Sequence, residues 1–562
     1  MKLSKLIIKN FRGLKGDKNI INFDNSDIIF LIGHNDVGKS TFLKAYEFFT
    51  NSTQVAKKSD FYNYDENNEI EIIGEFIKES DDDSNKDFNK EPNWINNWVD
   101  KDSKKVIIKK VWNKADERFS KYTYNPNDGE KRFVQNGFGG LDTLFKKYAP
   151  TAIFINAVET PESFEKKVND IVEKEYLKEL REKYGLEYDE AIEKINVLQK
   201  KITSSDGILK YNEKISKSFN NVFPDLSLKI SQKGEDGIDL AKAFKANHSV
   251  DVVKEGNDRK ENITQHGHGI IRQALFNFIT FLKTDTRSTK KEYLILFEEP
   301  ELYMHPKASR ALRKELYEVI KDSPFQILCA THSPIMIDIS KPHSSLVRIV
   351  KEPDESTKTF QVGHDIFQSE ENKDFVQMIN RFNPYVCEAF YASEVILVEG
   401  DTEAIVFRYL LDKYYDKKET DIYVLNTGSK NNIVFYQKIL THFNIKHHVV
   451  HDIDQPKNNK NDDDNSAWTL NYRIEEQMNK SNEECGYLIC KRYVHFTNFE
   501  VAHPQYKLNK KKGKPLCAYE FAKNLSLESD ARCVNVIRAI VENCDIDDEI
   551  EKIEALLLAT LE

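Results

Sequence analysis

Gly33-His34-Asn35-Asp36-Val37-Gly38-Lys39-Ser40 is the stretch that decides how this chain is read. It has the spacing GxxxxGK[ST] of a phosphate loop. It stands between an apolar run of strand length, Asp27 to Ile32, and a segment, Lys39 to Phe49, in which Phe42, Leu43, Tyr46 and Phe49 recur at helical intervals. Glycines let the backbone curl so that successive N–H groups face phosphate oxygens, Lys39 reaches the β and γ oxygens, and Ser40 can coordinate Mg²⁺. Gly33, Asn35, Gly38, Lys39, Ser40 and Thr41 are therefore the expected nucleotide-binding residues, with ATP and one accompanying Mg²⁺ as cofactors.

Working outward, Leu3 to Ile8 and Ile20 to Phe23 are further strand-length runs, so the chain opens strand-rich. Far downstream, Tyr293 to Phe297 is an unbroken apolar run of buried-strand type that ends in Glu298-Glu299-Pro300-Glu301. Two carboxylates at a strand tip suit an ATPase site: Glu298 to hold the magnesium shell and Glu299 to polarise the attacking water. Another apolar strand, Phe325 to Cys329, runs into Ala330-Thr331-His332, whose imidazole can contact the γ-phosphate and report its loss. Upstream, Gln265-His266-Gly267-His268-Gly269 opens a helical pattern and can present N–H groups to the nucleotide of a second subunit.

The order of phosphate loop, glycine turn, paired acids and switch histidine resembles the ABC-type ATPases of the RecF and SMC kind. In that family two heads sandwich two ATP molecules, which implies a homodimer at least. The expected fold is α/β, an ABC-type head over residues 1–385 interrupted by a helical arm at 160–225. Thr160 caps that arm, Pro161 stands at its first position, and Phe164, Val168, Ile171, Leu177 and Leu180 recur at helical spacing, followed by Ile192, Ile195, Leu198 and Ile202. The arm is expected to be a structural or dimer contact.

Past Tyr391 a fresh strand-helix-strand alternation begins, placing a second domain at 386–562 with helices at its C-terminal end. Glu394 to Val398 is a buried-strand run, and Glu399-Gly400-Asp401-Thr402-Glu403 puts an acid at its tip and another four residues on, at the start of a helix. A second strand, His447 to Val450, runs into His451-Asp452-Ile453-Asp454, whose two aspartates share a side if the chain stays extended. Four carboxylates so placed suit Mg²⁺ or Mn²⁺, which prefer oxygen ligands. His447, His448 and His451 are read as structural.

This second half resembles a TOPRIM domain, and the order of ABC ATPase then TOPRIM is similar to the OLD (overcoming lysogenization defect) family of nucleases, over nearly the whole chain. The resemblance implies that Glu399, Glu403, Asp452 and Asp454 hold two divalent ions for in-line phosphodiester attack. Within Thr497-Asn498-Phe499-Glu500, Glu500 resembles the family's later acid, and within Gly513-Lys514-Pro515, Lys514 its lysine. Glu299, His332, Glu399, Asp452, Asp454 and Lys514 are thus the expected catalytic residues. Ser40, Glu298, Glu399, Glu403, Asp452, Asp454 and Glu500 are the expected metal ligands. Kin of this architecture include the nuclease of Gabija antiphage systems and retron-associated effectors, so an ATP-regulated DNA endonuclease of prokaryotic antiviral defence is implied. Its partners would be DNA and either a helicase or a reverse transcriptase with its msDNA. The rival reading is a non-cutting, ATP-gated DNA-binding or repair clamp.

Composition bounds these readings. A net charge of −10 over 562 residues gives no global pull on nucleic acid, so DNA contact must be local. Lys507, Lys510, Lys511, Lys512 and Lys514, with Tyr506 beside them, supply a basic stripe. The seven cysteines, Cys329 to Cys544, show no paired CxxC spacing and are expected to be reduced thiols. No apolar run approaches the ~20 residues that cross a membrane, and the opening segment does not read as a secretory signal, so the expected location is cytoplasmic.

Overall fold

The computed structural model describes residues 1–79, 95–127, 132–140, 142–172, 206–232, 248–254, 260–285, 292–321, 323–363, 384–415, 421–457, 465–544, 546 and 554–555. The chain falls into two compact units, Met1–Gly363 and His364–Glu562.

The first unit begins β1 (Lys2–Lys9), β2 (Asn19–Asn22), β3 (Ile28–Ile32), α1 (Lys39–Thr50), β4 (Ile70–Ile77), β5 (Lys105–Trp112), β6 (Ser120–Tyr124) and β7 (Phe133–Gln135). There follow α2 (Thr143–Tyr148), β8 (Thr151–Ile155), α3 (Pro161–Val172), α4 (Asp206–Asn220), β9 (Leu226–Gln232), β10 (His248–Lys254) and β11 (Lys260–Asn262). It closes with α5 (His268–Asp285), β12 (Tyr293–Glu298), α6 (Pro306–Val319), β13 (Phe325–Ala330), β14 (Leu346–Lys351) and β15 (Thr357–Gln361).

Residue pattern separates its sheets. In β4 buried and half-buried residues alternate strictly, as one-sided burial demands, and the strand belongs to an antiparallel sheet of order β2-β1-β4-β5-β6-β7. By contrast β3, β12 and β13 are apolar throughout and buried on both faces; they lie in a sheet of order β15-β14-β3-β13-β12-β8, parallel except at β15. Helix α1 packs between the two. Its Phe49 stacks on Phe76 of β4 and meets the edge of Phe145, while Leu294 and Leu296 of β12 join the same core. A third, antiparallel sheet has the order β11-β10-β9.

Helix α3 starts as its sequence directs: the Thr160 hydroxyl accepts from the Ser163 N–H at 3.2 Å, and Phe164 and Val168 are buried. Leu177, Leu180 and the segment from Ile192 to Ile202 lie outside the described residues.

The second unit contains α7 (Pro384–Glu388), β16 (Glu394–Val398), α8 (Asp401–Tyr414), β17 (Ile422–Asn426), α9 (Ile433–His442), β18 (Lys446–Asp452), α10 (Ser466–Cys485) and β19 (Cys490–His495). Three helices end it, α11 (Phe499–Ala502), α12 (Lys514–Asn524) and α13 (Arg532–Val541). The sheet, β17-β16-β18-β19, is wholly parallel. The chain leaves β16 for β17 on one side and returns to β18 on the other, so the crossovers diverge at the C-terminal ends of β16 and β18. Such a switch point opens a crevice for ligands. Among the described residues no helix is long and apolar enough to cross a membrane, and the cysteines are free thiols.

Candidate nucleotide and metal centres

The phosphate loop joins β3 to α1. Gly33 and Gly38 sit at φ +144 and +95, and a Cβ would come within 2.5 Å of the Ile349 carbonyl at the first and 2.7 Å of Leu14 at the second. Both positions therefore require glycine. Asn35 is exposed at the crest, Ser40 is half-buried, and the Thr41 N–H donates to the Gly38 carbonyl at 2.9 Å. The Lys39 ammonium donates to the carbonyls of Gly33, at 2.6 Å, and His34. Burial pulls its pKa down to about 8 against the opposing pull of Glu299.

Strand β13 lies between β3 and β12 with the tips level: Leu31 pairs with Ala330, and Ala330 with Glu298. The loop, the paired acids and the histidine are thereby gathered at one sheet edge, although some 300 residues separate the outermost of them. Glu299 has a left-handed backbone, φ +44, and its N–H donates to the Ala330 carbonyl at 2.7 Å. His332 Nε2 is 3.5 Å from Glu299 Oε1. Burial, with help from Lys39, lowers the His332 pKa to about 4, so the imidazole is neutral near pH 7. Glu298 ends β12 and accepts from the Ala157 N–H at 3.4 Å.

Two residues at this edge escaped the sequence reading. Glu301 is largely buried, its pKa is raised by that burial, and it accepts from the Thr331 hydroxyl at 2.6 Å. Arg272, fully buried on α5, donates to the carbonyls of Glu298, Glu299 (2.6 Å) and Leu302 (3.4 Å). It fastens the helix opened by Gly267-His268-Gly269 to the backbone of the paired acids. The available signal was one arginine in the otherwise apolar face of Ile270-Ile271-Arg272.

In the second unit the carboxylates assemble at the switch point. Glu399 follows β16, Glu403 lies in the first turn of α8, Asp452 ends β18, and His495 ends β19 directly opposite Asp452. Ligand atoms of Glu403, Asp452 and His495 lie within 4.8 Å of one another, close enough to hold a metal ion. Glu399 stands beside them, its Oε1 accepting the Asp452 N–H at 2.7 Å.

The aspartates do not share one side of an extended chain. The strand ends at Asp452, while Asp454 adopts φ +67 with its N–H on the Thr497 carbonyl at 2.8 Å. Its carboxylate instead accepts from Lys430 at 2.7 Å. Lys430, in the turn after β17, and His495 are further residues that the sequence reading missed. Each sits at the C-terminal end of a parallel strand, and that placement, invisible before the strand order is known, was their only signal. His447, His448 and His451 are buried and bonded respectively to the Ile445 carbonyl, Glu394 and the Asp452 carbonyl, a structural role.

Glu399, Glu403, Lys430, Asp452 and Asp454 line a cleft of about 490 Å³ that also takes in Glu500, Lys514, Ser429 and Phe499. Lys514 Nζ is 3.5 Å from Glu500 Oε1 and faces solvent. Lys507, Lys510, Lys511 and Lys512 are exposed, and Lys512 pairs with Glu520 at 2.7 Å. Tyr506 does not belong to that stripe. It is buried among Phe499 and Phe521, because its ring completes the core under α12.

Electrostatically the cleft is short of positive charge. Burial first, and neighbouring acids second, raise Glu399 to about 8 and Asp452 to about 7; burial likewise raises Glu403 to about 7, with Asp452 and Glu500 adding to it. A carboxylate-rich, desolvated pocket with one imidazole fits a divalent cation, which compensates the charge that the protein leaves uncompensated. The phosphate loop, with its glycine cradle, fits a nucleotide's phosphates equally well.

Comparisons with known proteins fall on both units. A family model described as AAA ATPase domain matches residues 1–132 and 86–337, and one described as Overcoming lysogenization defect protein-like, TOPRIM domain matches residues 390–454. The Old nuclease of Escherichia phage P2 is 22% identical over 477 residues, 81% of this chain and 77% of that protein. Endonuclease GajA of Bacillus cereus (strain VD045) is 26% identical over 445 residues, 74% of this chain and 68% of that one. Among solved structures, an Smc head bound to the C-winged helix domain of ScpA aligns with a TM-score of 0.40 at 14% identity, over 64% of this chain and 97% of that one.

Proposed function

Because this chain belongs to the OLD (overcoming lysogenization defect) family, as a TOPRIM nuclease fused to an ATPase, we propose that it is an ATP-regulated, divalent-metal-dependent DNA endonuclease. The observation that carries the reading is the convergence of Glu403, Asp452 and His495 at a parallel-sheet switch point, where Glu403 and Asp452 line a cleft with Glu399, Asp454, Glu500 and Lys514. Glu403, Asp452 and His495 hold one divalent ion, Mg²⁺ or Mn²⁺, and Glu399, Asp454 and Glu500 are the remaining acids for a second. Ions bound there supply Lewis-acid stabilisation of the attacked phosphodiester and lower the pKa of the attacking water.

The chain's own residues do the rest. Asp452 and Glu403 fix the ion at the tip of β18. Glu399 holds the Asp452 backbone in place. Lys514 sits where it can neutralise charge developing on the scissile phosphate. The exposed lysines from Lys507 to Lys511 bind DNA phosphates without reading sequence.

In the other unit, the domain proposed to span residues 1–385, Lys39 and the Gly33–Thr41 loop bind ATP. Ser40 and Glu298 hold its Mg²⁺, Glu299 orients water, and His332 contacts the γ-phosphate. The helical insertion at 160–225 serves as an arm or dimer contact, and residues 386–562 form the nuclease domain. Two such chains pair through the ATPase units as a homodimer or larger assembly. We extend this reading to a cytoplasmic role in antiphage defence, with a helicase or with a reverse transcriptase and its msDNA as partner; the OLD relationship is what supports it.

The test is incubation of purified protein with supercoiled plasmid and Mg²⁺ or Mn²⁺, with and without ATP. Permanent nicks or linear product support the nuclease. Closed relaxed circles, or DNA retention without breaks, favour a non-cutting clamp.

A further inference from the structure

We propose that Lys430 stands in for the second divalent ion of the TOPRIM centre: its ammonium occupies the Asp454 carboxylate, and a second ion reaches Asp454 only when the lysine swings away. The inference rests on the metal-nuclease reading of the cleft.

Three side chains of the cleft region form the tight ligand group. Glu403 and Asp452, with His495, bring their ligand atoms within 4.8 Å of one another, the space of a single ion. Asp454 lines the same cleft and its charge acts on Asp452, but it is not one of these three, and its Oδ2 is held by Lys430. The lysine is built into the wall. Its side chain is 5% exposed, and the ammonium donates to Asp454 Oδ2 at 2.7 Å, to the Asp452 carbonyl, and to the Ile453 carbonyl at 3.4 Å.

All three acceptors come from the single segment that ends β18. The turn that delivers the lysine is equally specific: Gly428 takes φ +73, and the Ser429 hydroxyl accepts from the Asn431 N–H. The ammonium's field also extends past Asp454, opposing the upward pull of burial on Glu399 and Asp452.

A lysine ammonium supplies one positive charge at a fixed point and no Lewis acidity. A divalent ion supplies two charges and can bind water and phosphate together. Occupation of Asp454 by Lys430 therefore holds the centre in a one-ion state. Four flexible carbons allow the ammonium to withdraw when a second ion, brought by a substrate phosphate, competes for the carboxylate. Lys430 is on this view a positioning residue. Its role is to set how many ions the resting centre holds.

The experiment is Mn²⁺ binding to the full-length, nucleotide-free protein, read by electron paramagnetic resonance, for wild type, Lys430→Gln and Lys430→Arg. Wild type and Lys430→Arg should bind one Mn²⁺ tightly and a second weakly. In Lys430→Gln the second should tighten by about tenfold or more, since a contact charge is removed from an open, partly screened cleft, and the first should not weaken and should change by less than the second. A lysine that only braced the β18 turn would instead weaken the first ion and leave the second as it was, which overturns the proposal.

Wild-type crystals at low and saturating Mn²⁺, read by anomalous scattering, give the same answer without any variant. One peak with Lys430 on Asp454 should become two peaks with Lys430 displaced. A second ion on Asp454 with Lys430 unmoved refutes the stand-in alone. Absence of any ion at Glu403, Asp452 and His495 sinks the metal-centre reading and this proposal with it.

Discussion

Metal affinity at the TOPRIM centre should depend steeply on pH, and the structure sets the size of the effect. Glu403 and Asp452 both have pKa values near 7 in the metal-free protein, raised chiefly by burial. Both must lose their protons to bind a cation. Each proton weakens apparent affinity by a factor of 1 plus the ratio of protonated to ionised group, roughly elevenfold at pH 6 and almost nothing at pH 8. For the two groups together the expected loss between pH 8 and pH 6 is about a hundredfold, whichever carboxylate takes up its proton first. The assay is Mn²⁺ titration of nucleotide-free protein across pH 6 to 8.5, with the tight site followed by electron paramagnetic resonance. Asp452→Asn removes one of the two protons and should reduce the pH dependence to about tenfold, on top of a lower affinity. An affinity that is flat across this range, or that falls as pH rises, would falsify the assignment of these two buried acids as ligands.

Stability of the metal-free TOPRIM unit should run the opposite way to metal affinity. Glu399, Glu403 and Asp452 hold protons in the folded state that the unfolded chain has already released, so stability falls as pH rises from the ordinary carboxylate range to about 8. With EDTA present the unit should unfold at lower urea at pH 8 than at pH 6, and Mn²⁺ should restore it most at pH 8. Asp452→Ala combined with Asp454→Ala should abolish plasmid cleavage, a loss on the order of a thousandfold or more, while phosphate release from ATP persists; undiminished cutting by the folded double variant places the nuclease elsewhere. Lys39→Ala should lose ATP binding, whereas Glu299→Gln should bind ATP and hydrolyse it about a hundredfold or more slowly. Normal turnover by Glu299→Gln removes that residue from the water-orienting role.

What could be read without coordinates was what lies in contiguous residues. The phosphate loop, the two acids after Tyr293 to Phe297, and the acids at 399, 403, 452 and 454 each stand at the end of an apolar run, and apolar runs survive in any fold. Hidden were the contributions that depend on which strand lies beside which. His495 matters because β19 pairs with β18 and sets it opposite Asp452. Lys430 matters because the turn after β17 opens into the cleft where β18 ends. The extended-chain placement of Asp454 failed for a local reason: nothing in Asp452-Ile453-Asp454 announces the left-handed backbone at Asp454, although its carboxylate still lines the cleft. Tyr506 was misread because a tyrosine beside lysines looks like surface, whereas its neighbours at Phe499 and Phe521 come from other elements. Arg272 was hidden because burial of a guanidinium makes sense only once three carbonyls are found to receive it.

The central parallel sheet of the first unit also dictates a timetable for the molecule's birth on the ribosome. Strand β3 carries the phosphate loop yet bonds to β13 on one side and β14 on the other, both about 300 residues later in the chain. At ~5–20 residues per second, the N-terminal strand waits roughly 15–60 s for the partners that close its sheet. Sheet β2-β1-β4-β5-β6-β7 draws on the first 135 residues alone and can form while synthesis proceeds. A nascent chain therefore carries its phosphate loop on a half-built floor until most of the ATPase unit has emerged. The acids at 399 to 454, to which cutting is assigned in our proposal, are made later still, so a chain cut short midway lacks both proposed centres in finished form.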